Sequence, residues 1–138
     1  MERISNKLHL IVVKKMSKYE EQIIQILLKE KIQFIREKTF EDLRQGRFRF
    51  DFYLPQLHIL IEIDGEQHFQ QVKKFQKTRQ DFLKQQERDR KKNSYCLAHK
   101  IPLYRIPYWE IQNIKTFKDI YNTNFLVKDK WYNDNLRR

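Results

Sequence analysis

Between Phe48 and Asp64 the chain alternates apolar and polar residues with a period of two, on both sides of a Pro-Gln step. Phe48, Phe50, Phe52 and Leu54 interleave with Arg47, Arg49, Asp51 and Tyr53. After Pro55-Gln56, Leu57, Ile59, Ile61 and Ile63 interleave with His58, Leu60, Glu62 and Asp64. Successive side chains of a β-strand point to opposite faces, so this pattern predicts a hairpin. An even-length loop pairs Leu54 with Leu57, Phe52 with Ile59, Phe50 with Ile61 and Phe48 with Ile63. One face is then wholly apolar. A slip of one residue would divide that row between the two faces, so the parity of the pairing is strongly specified.

The opposite face carries the chemistry. In that register Asp51 lies opposite Leu60, and Glu62 is its diagonal neighbour, roughly 7–8 Å away at the backbone. Two carboxylates so placed can converge on one cation through bonds of about 2.0–2.6 Å. Asp64 lies one step further along the same face. Arg49 and Arg47 stand near Glu62 and Asp64, and a solvated face with two cross-strand ion pairs accounts for the same residues. Glu62 and Asp64 close an apolar strand just before Gly65, where site residues tend to gather. His68 follows four residues after Asp64.

The rest of the chain supplies the frame. Ser17-Lys18-Tyr19-Glu20 reads as a capping box opening a helix over about 18–31, with Ile23, Ile24, Leu27 and Leu28 at helical spacing. Residues 32–40 look extended. Gly65 ends the second hairpin strand, a long polar helix covers roughly 78–99, and 101–106 is a short apolar strand stopped by Pro107. Residues 109–121 read as helical. The order helix, strand, hairpin, helix, strand, helix predicts a mixed sheet flanked by helices, in the α/β or α+β class. A length of 138 residues suits one domain, with a core over about 17–121 and a basic tail over 122–138. The apolar run 8–13 is too short for a membrane span and reads as a buried strand or docked segment.

Lys and Arg total 29 against 18 acidic residues, a net charge of +11, which favours a polyanionic partner, nucleic acid first. Two glycines exclude a Gly-rich phosphate loop. One cysteine, Cys96, excludes an internal disulfide and fits a cytoplasmic setting. Cys96 and the four histidines show no zinc-type spacing.

The blocks Phe48-Arg49-Phe50-Asp51-Phe52-Tyr53-Leu54-Pro55 and Ile61-Glu62-Ile63-Asp64-Gly65-Glu66-Gln67-His68-Phe69 resemble PD-(D/E)xK nucleases of the very-short-patch-repair-like branch. That branch includes phage-type homing endonucleases with an E-D-H-D residue set. Glu87-Arg88-Asp89-Arg90-Lys91-Lys92-Asn93-Ser94-Tyr95-Cys96 and Ile101-Pro102-Leu103-Tyr104-Arg105-Ile106-Pro107-Tyr108 extend the resemblance, which covers residues 17–111. It implies a restriction-endonuclease-like fold, with Asp51 as central metal ligand and Glu62 in the acidic position of (D/E)xK. The lysine position holds Asp64, so a lysine base or charge stabiliser is missing there. The branch is similar in that departure and in a His just beyond it. Asp64 would orient water, bind a second cation, or pair with Arg47.

The implied reaction is phosphodiester hydrolysis by a metal-activated water. Oxygen ligands on Asp51, Glu62 and Asp64 favour Mg²⁺ or Mn²⁺ over Zn²⁺. His68 would act as general base or assist charge at the scissile phosphate. Asp89 would orient His68 or hold metal-bound water; it shares a helical stripe with Phe82, Lys92, Asn93 and Cys96. Glu20 aligns with the branch's first Glu, while its capping role explains it equally. Arg47, Arg49, Arg88, Arg90, Lys91 and Lys92, with Lys73 and Lys74, are the expected nucleic-acid contacts. Tyr108 and Trp109 would stack on a base or simply close the sheet end. The leading expectation is a Mg²⁺-dependent DNA endonuclease, free-standing homing-type or nicking, acting alone, as a homodimer or in a larger complex. The alternatives are a non-catalytic nucleic-acid-binding protein with a nuclease-like fold, and a nuclease subunit of a recombination or transposition complex. No membrane association is expected.

Overall fold

A computed structural model describes residues 16–68 and 78–132, without the side chain of Gln67. The apolar run 8–13 and the pair Lys73 and Lys74 lie outside these residues. The elements are α1 (Lys18–Lys29), β1 (Ile35–Lys38), β2 (Phe50–Leu54), β3 (Ile59–Asp64), α2 (Arg79–Ala98), β4 (Leu103–Pro107) and the short α3 (Phe117–Ile120). The strands form one sheet in the order β1-β2-β3-β4. The first three are antiparallel, and β3 and β4 are parallel, connected through α2. This is the expected mixed sheet flanked by helices, an α+β arrangement.

Both long helices begin and end by the same devices. Ser17 and Thr78, in extended conformation, each accept a hydrogen bond from the backbone N–H three residues on. Each helix ends on a lysine in the left-handed region, Lys31 (φ 58°) and Lys100 (φ 57°). The N–H of the next residue bonds five positions back: Ile32 to the Leu27 carbonyl and Ile101 to the Cys96 carbonyl, both at 2.9 Å. This closure satisfies the last carbonyls and releases the chain toward a strand.

Among the described residues two cores form, one on each face of the sheet. Ile23, Ile24, Ile26 and Leu27 of α1 pack on Phe52, Leu54, Ile59, Ile61, Ile63, Tyr104 and Ile106. Tyr95 and Cys96 of α2 pack on Phe50, Leu60 and Leu103. Burying each large aliphatic side chain contributes roughly 1.5–3 kcal/mol before entropy is set against it.

The hairpin keeps the expected parity but not the expected pairs. Phe52 faces Ile61 and Leu54 faces Ile59, two residues along from the predicted register. The cause is the loop: Pro55–His58 turns as four residues, with the His58 N–H bonding the Leu54 carbonyl at 2.8 Å. Leu57 is therefore an exposed turn residue. The wholly apolar face also ends early, because Phe48 and Phe50 pack on the α2 side. At that point side-chain carboxylates of Asp51 and Glu62 take the place of the strand ladder.

Two further expectations change. The predicted helix over 109–121 is a 3-10 turn, Tyr108–Asn113, then the four-residue α3. Buried Ile114 is extended between them, and Thr116 and Asp119 form a capping box that restarts the helix. The basic tail docks as far as Tyr132: Phe125, Val127 and Tyr132 are buried, and the Val127 N–H bonds the Leu103 carbonyl at 2.9 Å.

Candidate functional site

The even-numbered residues of β3 face α2. Leu60 is apolar and joins the core, but Glu62 and Asp64 bring carboxylates into a buried layer. The facing stripe of α2 answers with polar groups: Gln86, Asp89, Lys92 and Asn93 are all buried. From β4, the parallel neighbour, Arg105 is fully buried opposite Glu62. A buried ion is tolerated only with partners, and the packing of this layer is set by that requirement.

Arg105 is the hub. Its Nη1 lies 2.7 Å from Asp64 Oδ1 and 3.8 Å from Glu62 Oε2; its Nη2 lies 3.7 Å from Asp89 Oδ1. Its Nε donates to Asn93 Oδ1 at 2.7 Å, and Asn93 Nδ2 donates to the Lys130 carbonyl at 3.2 Å. Lys92 is a second internal cation. Its Nζ lies 3.3 Å from Glu62 Oε2 and also bonds the Arg49 carbonyl. Lys92 is thus no surface phosphate contact, and its charge sits beside Glu62.

Asp51 and Glu62 form a reciprocal bracket. Glu62 Oε1 accepts the Asp51 N–H at 2.8 Å, and Asp51 Oδ2 accepts the Ile63 N–H at 2.7 Å. Continuing the observed pairing by one residue sets Asp51 directly opposite Glu62 rather than on its diagonal. Asp51 is half-buried, and its Oδ1 accepts no hydrogen bond from the described residues. Burial and then the Glu62 charge hold its carboxyl well above the usual carboxylate range, against the Ile63 hydrogen bond; Glu20 adds to the rise. Glu20, in the first turn of α1, bonds the Ser17 hydroxyl at 3.3 Å and Arg36 Nη2 at 2.7 Å. The capping box is therefore half formed, and the Glu20 carboxylate turns toward β1.

His68, in the 3-10 turn Glu66–His68, is buried against α2. Its Nδ1 lies 2.8 Å from Asp89 Oδ2 and 3.5 Å from Asp64 Oδ1. Burial pushes the imidazole pKa down, but the Asp89 and Asp64 carboxylates outweigh it and hold it near about 9. Burial raises Asp89 in turn, and His68 and Arg105 overcome it, to about 2. The pair is an imidazolium carboxylate at neutral pH. Asp64 is raised by burial, with Arg105 and His68 opposing, and its Oδ2 is buried without a partner among the described residues.

The sequence-predicted residues thus fall into two groups. Asp51 and Glu62 meet, with Glu20 within electrostatic reach; Asp64, His68 and Asp89 meet around Arg105. Asp64 does not join Asp51 as a third ligand, and among the described residues no three His, Cys, Asp or Glu side chains are arranged to hold a metal ion. The alternative ion pairs also fail: Arg49 pairs with Glu37 at 3.2 Å, and Asp64 with Arg105. Arg47, Arg49 and Arg88 are exposed, while Arg90 and Lys91 are half-buried. Tyr108 and Trp109 sit edge to face just beyond β4. Arg105 and Asn93 were assigned no role from sequence. The available signal was an arginine inside the apolar run Leu103-Tyr104-Arg105-Ile106, where a buried countercharge is the simplest reason for a cation.

No family model and no solved structure matches the chain. The chain is 32% identical over 81 residues to uncharacterized protein 307L of Invertebrate iridescent virus 6, covering 57% of this chain and 40% of that protein. It is 39% identical over 88 residues to uncharacterized protein 094L of Frog virus 3 (isolate Goorha), covering 62% of this chain and 52% of that protein. The chain spans about half the length of these curated relatives. Neither name states an activity, so a functional reading rests on the site.

Proposed function

We propose that the chain is a metal-dependent DNA endonuclease of the PD-(D/E)xK type, cutting phosphodiester bonds at the Asp51–Glu62 end of the sheet. One observation carries this reading: Asp51 and Glu62 face each other across β2 and β3, beside the buried His68–Asp89 pair, in a chain of net charge +11. The donor set suits a hard cation. The Asp51 carboxyl is burdened by Glu62 and has an uncommitted oxygen, and a positive ion relieves that repulsion. Mg²⁺ commonly takes only one or two protein carboxylates, the rest of its shell coming from water and substrate phosphate. Asp51 is the residue proposed to hold the ion, with Glu62 beside it. Such an ion, when bound, polarises the phosphoryl oxygen and lowers the pKa of water.

The chain's own groups do the remaining work. Lys92, reaching in from α2, stands beside Glu62 where the hairpin itself lacks a lysine. Held as an imidazolium by Asp89, His68 is a cation at neutral pH, which favours charge assistance or proton donation at the phosphate over general-base action. Arg105 and Asn93 position this layer through their bonds to Asp64 and to each other. Exposed Arg47, Arg49 and Arg88 are proposed to meet the backbone.

A second reading, a nucleic-acid binder with a nuclease-like fold, is favoured by one observation: Glu62 Oε2 and Asp64 Oδ1 are already engaged by Lys92 and Arg105. Supercoiled plasmid separates the two. Cutting with Mg²⁺ or Mn²⁺ that is lost in EDTA and in Asp51→Ala supports the enzyme. Tight DNA binding without cutting under either metal supports the binder.

A further inference from the structure

On the face of α2 turned away from the sheet, a groove of about 480 Å³ runs between the Asp42–Arg44 loop and the Lys130–Trp131 turn. Its walls carry Arg44, Arg90, Lys91 and Lys130 against the acids Asp42 and Glu87. Both acids are engaged locally. Asp42 accepts from Tyr95 Oη at 2.6 Å and lies 3.2 Å from His99 Nε2; Glu87 lies 3.4 Å from Arg90. Arg44, Lys91 and Lys130 make no ion pair with the described residues, so the groove presents net positive charge. The volume falls in the range of pockets that hold nucleotide-sized ligands.

Trp131 sets the chemistry of the occupant. It is 43% exposed, so part of this large side chain is open to solvent. The Arg90 guanidinium lies 4.3 Å from the ring centre and Lys130 Nζ 5.2 Å from it. The ring is thus held by cations at the groove wall while much of the residue meets solvent. The cations lie over the ring and cover part of it, and the part left open can take a stacked base whose phosphates meet the neighbouring charges, a combination used to bind single-stranded nucleic acid. Bases inside a duplex are already stacked on both faces and are not available for this.

The groove also shares wall residues with the His68–Asp89 site. Arg90, Lys130 and Trp131 bound a second, smaller cavity of about 10 Å³ whose other walls include His68 and Asp89. That space holds about one water. The same three residues therefore separate the groove from the imidazolium pair.

We infer that this groove binds an unpaired nucleotide of a DNA strand, its base stacked on Trp131 and its phosphates held by Arg44, Lys91 and Lys130. This rests on the nuclease reading for its substrate, and it specifies that reading: the preferred substrate carries an unstacked or single-stranded segment next to the site.

Binding tests the inference without cleavage. The chain has two tryptophans, so Trp109→Phe leaves Trp131 as the sole indole reporter. That variant is titrated in EDTA with a short oligothymidylate, a blunt duplex of equal length, and heparin. Saturable quenching by the single strand, at affinity clearly above the duplex, is the expected result. Followed by the anisotropy of a dye-labelled oligothymidylate, which needs no indole, Trp131→Ala should weaken single-strand binding about 5- to 100-fold, as loss of one base–aromatic stack does, with its thermal unfolding midpoint unchanged. Equal quenching by duplex or heparin overturns the inference in favour of a general anion surface. An unchanged single-strand affinity in Trp131→Ala overturns it as well. Because no metal is present, failure here is distinct from failure of the plasmid assay.

Discussion

Replacing Arg105 by Met tests whether one guanidinium holds the buried polar layer together. Arg105 is fully buried and lies within 2.7 Å of Asp64, 3.7 Å of Asp89 and 3.8 Å of Glu62. Methionine matches much of its volume but removes the charge, leaving Asp64 with a carboxylate in the interior. Breaking a buried pair on one side costs about 3–5 kcal/mol. For a chain of this length that lowers the thermal midpoint by roughly 10–20 °C. The pH dependence gives a second, sharper readout. Asp64 is raised by burial, and Arg105 is the first group opposing that rise. Without Arg105 its carboxyl rises further, and the folded variant takes up a proton. Uptake is easier at low pH, so the stability gap between parent and variant narrows from pH 8 to pH 5. Far-UV circular dichroism with urea unfolding at both values measures it. A loss below about 1 kcal/mol, the range of an exposed pair, would refute the countercharge argument. So would a gap independent of pH. Arg105→Lys, which keeps the charge without the planar fork, should recover part of the loss.

Three other outcomes follow from the same electrostatics. Asp51→Asn keeps an oxygen for the Ile63 N–H but removes the repulsion from Glu62; it should stabilise the fold by roughly 0.5–2 kcal/mol while abolishing Mg²⁺-dependent cutting, and a destabilised variant would contradict it. His68 titrates near about 9 in the folded protein, above its ordinary value of 6.5, so its contribution is complete below pH 6.5 and is lost as pH rises through 9. Asp89→Asn should bring the His68 ring proton titration, followed by NMR, down by at least about one unit and flatten that stability loss. Finally, the logarithm of DNA affinity should fall with the logarithm of salt by about 0.9 per phosphate contacted; Arg49→Ala with Arg88→Ala should make that slope shallower, and a flat slope in the parent would exclude a DNA backbone partner.

How much of this was legible beforehand depends on the range of the interaction. Ser17, Thr78 and the isoleucines of α1 act within one turn of their own backbone, so helix starts and the buried α1 face can be read locally. The hairpin was legible in parity, because alternation is a local property, but not in pair identity. That depended on whether the Pro55 turn would use two residues or four, and an even error leaves the pattern unchanged. The helix expected over 109–121 fails for the opposite reason: Ile114 is drawn into the core in extended form, a demand of packing that local propensity does not contain.

The amino-acid order alone determined that a mixed sheet would carry helices on its faces and that Asp51, Glu62 and Asp64 would share one side of the hairpin, since strand period is written in the side chains, while a place beside them for His68 and Asp89 was implied only by the family resemblance. Which carboxylate meets which cation was decided only in three dimensions. Lys92 and Arg105 come from elements that reach the hairpin after the chain has folded back, and burial then forces each charge onto the nearest partner of opposite sign. For that reason Asp64 belongs to Arg105 rather than to Asp51, a pairing that no spacing along the chain could express.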